Sequence, residues 1–564
     1  MQSLVRPLHE LAEFEQIYRT RNEETGMLRI SGCVNSQKTH MMYALGGGFL
    51  YKVIACSSES KARQVYEEYK FLSNETYLYP AKDLLFYQAD IRSKELVKQR
   101  MEVIQAILSG KPVTVVTSFD GFMDALLPKE MIQDRTIHIG SEDTLDMEEM
   151  KYRLVEIGYE REDQIEGPGQ FAVRGGILDV YPLTEEQPIR IELWGDEVDS
   201  IRTFDVESQR SIENLTEAEI YPASEFPKEG ERSVSFLVYF PPEDTFLFLD
   251  EPVRLREKGE GVENEFMEAQ KKRLESGYEL TDMEVKLYTT EEIIEKMNRF
   301  SSIGFFAIEM RCKGLNVRAS YHLQTKSVNP YNSSFELLTQ DLKRLKRNGY
   351  RVVLLSGSRT RARRLAEDLR DYDLSSFFSE EMDREVKPGE IMTTYGHIAE
   401  GYEYPMLKFT VISETDIFGK IKKKKKRKTY EGRKIQSFTE LKPGDYVVHE
   451  NHGLGIYQGI EKIEVDRIAK DYMKISYAKG GNLYIPATQL DLIQKYASAD
   501  AKPPKLNRLG TQEWNKTKTR VRGAVKEIAK DLVELYAARQ KQQGFVYGED
   551  TVWQRVFEEM FPFE

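Results

Sequence analysis

The stretch "SGCVNSQKTH", Ser31–His40, decides how the first third of this 564-residue chain is read. Phosphate-binding loops follow the pattern G-x-x-x-x-G-K-[ST] between a strand and a helix, and their backbone N–H groups wrap the phosphates. Gly32, Lys38 and Thr39 stand where that pattern wants them, but Gln37 replaces the second glycine. A Cβ at that position crowds the cradle, and a left-handed backbone there costs a non-glycine residue about 1–2 kcal/mol. The loop reads as a relic that no longer turns over ATP.

Working outward, "FLYKVIACSS" (49–58) is a short apolar run ending in small residues, as in a buried strand. "SKARQVYEEYKFL" (60–72) has helical spacing, and "PVTVVTS" (112–118) is a strand rich in β-branched residues. Strands alternating with helices predict a parallel α/β domain over residues 1–135. From Gly167, short alternating runs broken by glycine and proline predict a compact, mainly β domain inserted at 136–222. "FLFLDEP" (246–252) then returns to an apolar strand ending in Asp250 and Glu251. Beside a working loop such a pair would hold Mg²⁺ and orient water; the alternative is a solvated acidic turn. Residues 223–328 complete this module.

A second small α/β domain is expected at 329–419. Ser333 and Glu336 suit a capping box, Phe335, Leu338, Leu342 and Leu345 form an apolar stripe, and Gly349 suits the C-terminal cap. Residues 420–438 read as a basic linker. Its Ile421–Lys428 carries seven basic residues in eight, either a solvated linker or a phosphate-contacting arm. Turn-separated strands at 439–497 predict a small β-barrel, with Met473, Ile475 and Tyr477 facing one way and Tyr472, Lys474 and Ser476 the other. His449 and His452 form H-x-x-H with no third ligand nearby, so turn packing is expected rather than a metal. A long linker helix follows at 498–547, with Val521, Val525, Ile528, Leu532 and Leu535 at helical spacing. Residues 548–564 open a further domain, and the chain looks cut rather than finished.

The bulk numbers bound the function. A net charge of −12 excludes a general polyanion binder, so any nucleic-acid contact must come from a local basic patch. Cys33, Cys56 and Cys312 are far apart and form neither a disulfide framework nor a zinc module. No leader pattern or membrane-spanning run is present in the sequence, which predicts a cytoplasmic protein.

These motifs together resemble a known family. The degenerate loop, "FAVRGGILDVYP" (171–182), "IRIELWGDEVDSIRTFD" (189–205) and the acidic strand are similar to the damage-recognition helicase UvrB, whose β domain docks onto UvrA. UvrB has an intact P-loop and a tyrosine-rich hairpin. Here the segment between "YPAKDLLFYQ" (79–88) and "PVTVV" is too short for that hairpin. "VVHENHGLGIYQGI" (447–460), "YMKISYA" (472–478) and "LYIPATQLDLIQKY" (483–496) resemble the RNA-polymerase-interacting domain of the transcription-repair coupling factor family, Mfd. That domain is a Tudor-like barrel shared with CarD-type regulators. "GFVYGEDTVWQRVFEEMFPFE" (544–564) resembles the residues just before the family's translocase motor.

The resemblance implies a multidomain α/β and β protein: a UvrB-like module with a degenerate P-loop, an inserted β domain, a spacer domain, a CarD-like barrel and a long helix. It implies UvrA docking through Arg174, Arg190 and Trp194. The alternative is a core tryptophan with solvated arginines. It implies contact with the RNA polymerase β subunit through Ile463, unless that residue packs inside the barrel. The degenerate nucleotide site comprises Gly32, Gln37, Lys38, Thr39, Asp250 and Glu251, and no catalytic residue is assigned. No cofactor is expected in this chain; ATP and Mg²⁺ belong to the missing motor, through which the full-length protein engages double-stranded DNA. A monomer with no membrane contact is expected. The competing readings are a UvrB-like ATP-hydrolysing helicase and a CarD-like transcription regulator.

Overall fold

The computed structural model describes residues 2–81, 94–206, 208–227, 230–275, 286–380, 384–419, 441–449, 452–465, 468–486, 493–496, 504–509, 513–514, 516–518 and 520. The fold is mixed α/β with several sheets, and the chain divides into two compact units.

The first unit is built on a seven-stranded sheet. Its order is Val317–His322, Gly26–Ser31, Ser301–Phe306, Thr245–Asp250, Tyr51–Cys56, Val113–Ser118 and Thr76–Tyr79. Every neighbouring pair is parallel. The apolar runs explain this. Val113–Ser118 and Thr245–Asp250 are buried at all six positions, as strands covered by helices on both faces must be. The helices Asn35–Leu45 and Glu59–Leu72 begin just past the C-terminal ends of the first two strands in the chain. Functional side chains in such sheets gather at that edge.

The inserted domain leaves through the antiparallel pair Ile137–Gly140 and Glu217–Ile220. Between them lies a six-stranded sheet in sequence order, Glu160–Arg161, Gln170–Arg174, Ile177–Tyr181, Ile189–Trp194, Glu197–Phe204 and Ser211–Leu215. The central strands turn one apolar face towards a helix. Phe171, Leu178, Val180, Ile189, Ile191 and Ile201 pack with Met150 and Leu154 of the helix Met147–Glu156. Asp146 caps that helix by accepting from the Glu148 and Glu149 N–H groups.

The second α/β domain has a six-stranded sheet ordered Lys326–Ser327, Tyr402–Tyr404, Phe409–Ile412, Arg351–Ser356, Ile391–Tyr395 and Ser376–Phe378. Leu338, Leu342 and Leu345 are buried as expected, and Gly349 follows the helix with φ +73°. The cap differs by one residue. Ser334, not Ser333, accepts from the Leu337 N–H, and Ser333 takes φ +68°. No capping box forms there, because Ser333 donates to the Phe418 carbonyl instead. This domain shares one apolar core with the first: Leu4, Met41, Met42 and Ile54 cluster with Val353, Leu355, Met392, Tyr402, Tyr404 and Phe409.

The second unit holds most of a five-stranded sheet ordered Asn482–Pro486, Ile468–Ser476, Gly453–Val465, Tyr446–His449 and Ile493–Lys495. Met473, Ile475 and Tyr477 are buried, while Tyr472, Lys474 and Ser476 are half-exposed. Residues 504–509 lie across this sheet. Asn507 pairs with Leu454 twice, its N–H donating to the Leu454 carbonyl and its Oδ1 accepting from the Leu454 N–H at 2.8 Å. The Lys-rich run 422–428 and the apolar stripe 521–535 lie outside the described residues.

Candidate functional sites

The turn after the first strand is short. Gly32 takes φ +83°, and a Cβ there would stand 2.2 Å from the Leu323 carbonyl oxygen, so glycine is required. The helix begins at Asn35, two residues before Gln37. Gln37 therefore has right-handed helical backbone, and the left-handed strain expected for it is absent. Early helix formation, rather than strain, removes the cradle: only Cys33 and Val34 separate Gly32 from the helix. Burial pushes the Cys33 thiol up to about 12, so it stays protonated.

The remaining side chains of the motif are engaged inside the protein. Lys38 Nζ donates to Asp250 Oδ1 at 2.8 Å and to Glu251 Oε1 at 2.6 Å. Asp250 is 3% exposed, so the pair is not a solvated turn. Burial opposes the Lys38 charge, but the two carboxylates outweigh it and hold the ammonium above its usual value. Thr39 Oγ1 donates to Glu68 Oε2, and Ser36 Oγ to Glu68 Oε1, both at 2.8 Å. Gln37 Nε2 donates to Tyr404 Oη at 2.8 Å, across to the second α/β domain. Tyr404 Oη lies 2.9 Å from His40 Nδ1, and His40 Nε2 lies 3.0 Å from the Leu4 carbonyl. A carbonyl only accepts, so His40 carries its proton on Nε2, and its Nδ1 accepts a hydrogen bond from the Tyr404 hydroxyl. A cleft of about 420 Å³ remains beside Lys38, lined by Asn35, Lys61, Asp250, Glu251 and Arg254 among others.

The lysine that would meet a nucleotide's phosphates and the hydroxyl that would meet its metal are both engaged by carboxylates. The motif has become a joint between two domains. One consequence is acid sensitivity. His40 is fully buried, and desolvation pulls its pKa from 6.5 to about 4. The unfolded chain therefore binds a proton that the folded one refuses. Stability is full above about pH 6.5 and falls by up to about 3 kcal/mol as pH drops towards 4. Urea melts across that window test it; a flat midpoint would show that His40 is not held neutral.

The inserted domain presents a second site. Register places Arg174, Ile177, Asp179, Arg190, Glu192 and Trp194 on one sheet face, opposite the apolar one. Trp194, at the tip of a hairpin, is 82% exposed and is not core. The arginines are not merely solvated. Arg190 grips Asp179 with two bonds, Nε to Oδ1 at 2.7 Å and Nη2 to Oδ2 at 2.9 Å, and its guanidinium covers the Phe204 ring. Arg174 Nη2 donates to Asp179 Oδ2 at 2.6 Å and stays half-exposed. Asp179 is buried. Arg190 is thus held against Asp179, while Trp194 and Arg174 face outward.

In the second unit, Ile463 lies on the strand Gly453–Val465, and its side chain is outside the described residues. The His449 and His452 rings lie 4.7 Å apart, tilted by 46°, and no metal-holding group of three ligands occurs among the described residues. None of their helices is long and apolar enough to cross a membrane.

Comparison with known proteins matches residues 137–226 to the UvrB interaction domain and residues 441–497 to the CarD-like/TRCF RID domain. A transcription-repair-coupling factor of Bacillus subtilis (strain 168) is 32% identical over 547 residues, 86% of this chain and 46% of that protein. One from Staphylococcus haemolyticus (strain JCSC1435) is 30% identical, covering 87% and 46%. The chain belongs to the transcription-repair-coupling factor family. It spans about half the length of the curated relatives it matches. The UvrB interaction match contains the Trp194 face, and the CarD-like match contains the five strands between Tyr446 and Lys495.

Proposed function

We propose that this chain is the partner-binding portion of a transcription-coupled DNA repair factor. The inserted domain recruits UvrA, and the CarD-like sheet holds stalled RNA polymerase through its β subunit, so that nucleotide excision repair is brought to the stalled enzyme. An ATP- and Mg²⁺-dependent double-stranded DNA translocase that displaces the polymerase belongs to the part of the longer relatives that this chain does not span. The chain itself works as a monomer in the cytoplasm and assigns no residue to catalysis.

The observation that carries this reading is the co-occurrence of the two matched domains, one presenting an exposed tryptophan on the same sheet face as Arg174. Exposed tryptophan and arginine are the residue types that anchor interfaces. Residues 137–226 also hold 23 acidic against 7 basic residues, a net −16, which suits a basic partner surface and disfavours DNA there. The engagement of Lys38 and Thr39 by carboxylates disfavours a UvrB-type helicase, and the UvrB interaction domain disfavours a CarD-type regulator.

Trp194→Ala together with Arg174→Ala is expected to weaken UvrA binding at least about 30-fold, the effect of losing an interface hot spot. Ile463→Arg is expected to abolish polymerase binding by placing a charge on the pairing strand. Each change should spare the other partner, as read by pull-down. Loss of both partners in either variant would refute separate binding modules.

A further inference from the structure

The CarD-like match ends at residue 497, yet the sheet it covers is completed by residues beyond that point. A strand buried inside a sheet must find partners for its N–H and C=O groups. On the strand Gly453–Val465, both backbone groups of the buried Leu454 are taken by one residue, Asn507. The Leu454 N–H donates to Asn507 Oδ1 at 2.8 Å, and the Leu454 carbonyl accepts from the Asn507 N–H at 3.0 Å. The Asn507 carbonyl in turn accepts from the Ala478 N–H at 3.0 Å, just past the strand Ile468–Ser476. The side-chain carbonyl thus stands in for a backbone one, and Asn507 bridges the ends of two strands.

Packing around this contact is close. Gly453 takes φ +80°, and a Cβ there would stand 2.6 Å from Asn507 Oδ1 and 3.0 Å from Trp514 Cδ2. Only glycine lets both side chains approach the strand end. A Cβ on Gly481 would meet Leu509 Cδ1 at 3.3 Å. Asn507, Leu509 and Trp514 are three successive holds on the sheet, although residues 504–509 form no strand themselves.

We propose that this segment is a strap, latched by Asn507, through which the CarD-like sheet and the chain beyond it move as one piece. The coupling rests on the polymerase-binding reading above: a sheet held by RNA polymerase passes its displacement to the following residues through these three holds. Asn507 is a positioning residue, acting through Leu454 and Ala478 and not on a partner. Its side chain supplies a single acceptor, and losing it leaves a buried N–H unpaired. The strap can then lift while the pairing of Tyr446–His449 with Gly453–Ile456 stays formed.

Amide exchange and tryptophan fluorescence of the whole chain test the latch. Trp194→Phe with Trp553→Phe leaves Trp514 as the single tryptophan. In that background Asn507→Ala is expected to speed exchange at the Leu454 amide about tenfold, to shift Trp514 emission to the red and to raise its quenching by acrylamide. The Tyr457 amide, which donates to the Asp445 carbonyl at 2.9 Å, should exchange as in wild type because the sheet stays folded. Asn507→Asp keeps the acceptor and should behave as wild type. For the coupling, a protease site replacing Ala499–Lys502 is cut, and the cut chain is offered to immobilised RNA polymerase. Both pieces should be captured, and Asn507→Ala should shed the C-terminal piece about tenfold faster. Unchanged Leu454 exchange and Trp514 emission in Asn507→Ala, or equal shedding, would overturn the latch. Capture of the N-terminal piece alone with Asn507 intact would overturn the coupling. If the uncut chain does not bind polymerase, the polymerase-binding reading fails, and the coupling with it.

Discussion

Replacing Arg190 with alanine is expected to destabilise the inserted domain by about 3 kcal/mol, the low end for breaking a buried ion pair. The reason lies in Asp179, which is buried between two strands and held by both oxygens. Without Arg190 its carboxylate keeps only the bond from Arg174 Nη2. The remaining charge is then poorly compensated in a low-dielectric surrounding, and the Phe204 ring loses its cover as well. Arg190→Lys should recover only part of the loss, since an ammonium cannot reproduce the two-toothed grip. Trp194→Ala should show the opposite pattern. Its side chain is exposed, so denaturant midpoints should stay within about 0.5 kcal/mol of wild type while UvrA binding falls. Should Arg190→Ala leave the midpoint untouched yet abolish docking, Arg190 would be a contact residue rather than a support.

Lys38→Ala is the second variant with a large expected effect, and the effect is on folding. In a working phosphate loop this change removes phosphate contacts and with them turnover. Here it strands Asp250 and Glu251, whose positions at the strand end are fixed by the parallel sheet. A loss of about 3–5 kcal/mol is expected from uncompensated buried charge. The companion change Gln37→Gly restores the motif in sequence. It should not restore nucleotide binding, because the helix still begins at Asn35 and Lys38 and Thr39 keep their carboxylate partners. It should instead loosen the joint to Tyr404. Saturable ATP binding by Gln37→Gly at micromolar concentration would show that one side chain alone had closed the site.

Much of this architecture is legible in the sequence, because the parallel sheet requires apolar runs and the inserted sheet requires alternation. Lys38, Asp250 and Glu251 come together as the motif implies. The reason for the loop's failure was not legible. Where a helix starts depends on tertiary partners, and Gln37, Thr39 and His40 are fixed by Glu68 and Tyr404. Tyr404 is 367 residues from Gln37, and nothing local in "EYPML" marks it. Asp179 did leave a signal. An acid between Leu178 and Val180 on a strand whose neighbours face a core must find a cation, and Arg190 sits directly across the ladder. The cap at Ser334 rather than Ser333 is the usual one-residue ambiguity where two serines adjoin, decided by the Ser333 hydroxyl reaching Phe418.

Size-exclusion chromatography of this chain mixed with UvrA and RNA polymerase, without nucleotide, probes the tethering role in one step. All three should co-elute as a single complex, with Trp194→Ala releasing UvrA alone and Ile463→Arg releasing polymerase alone. Elution of this chain free of both partners, or with only one at a time, would mean that it is not a two-handed tether.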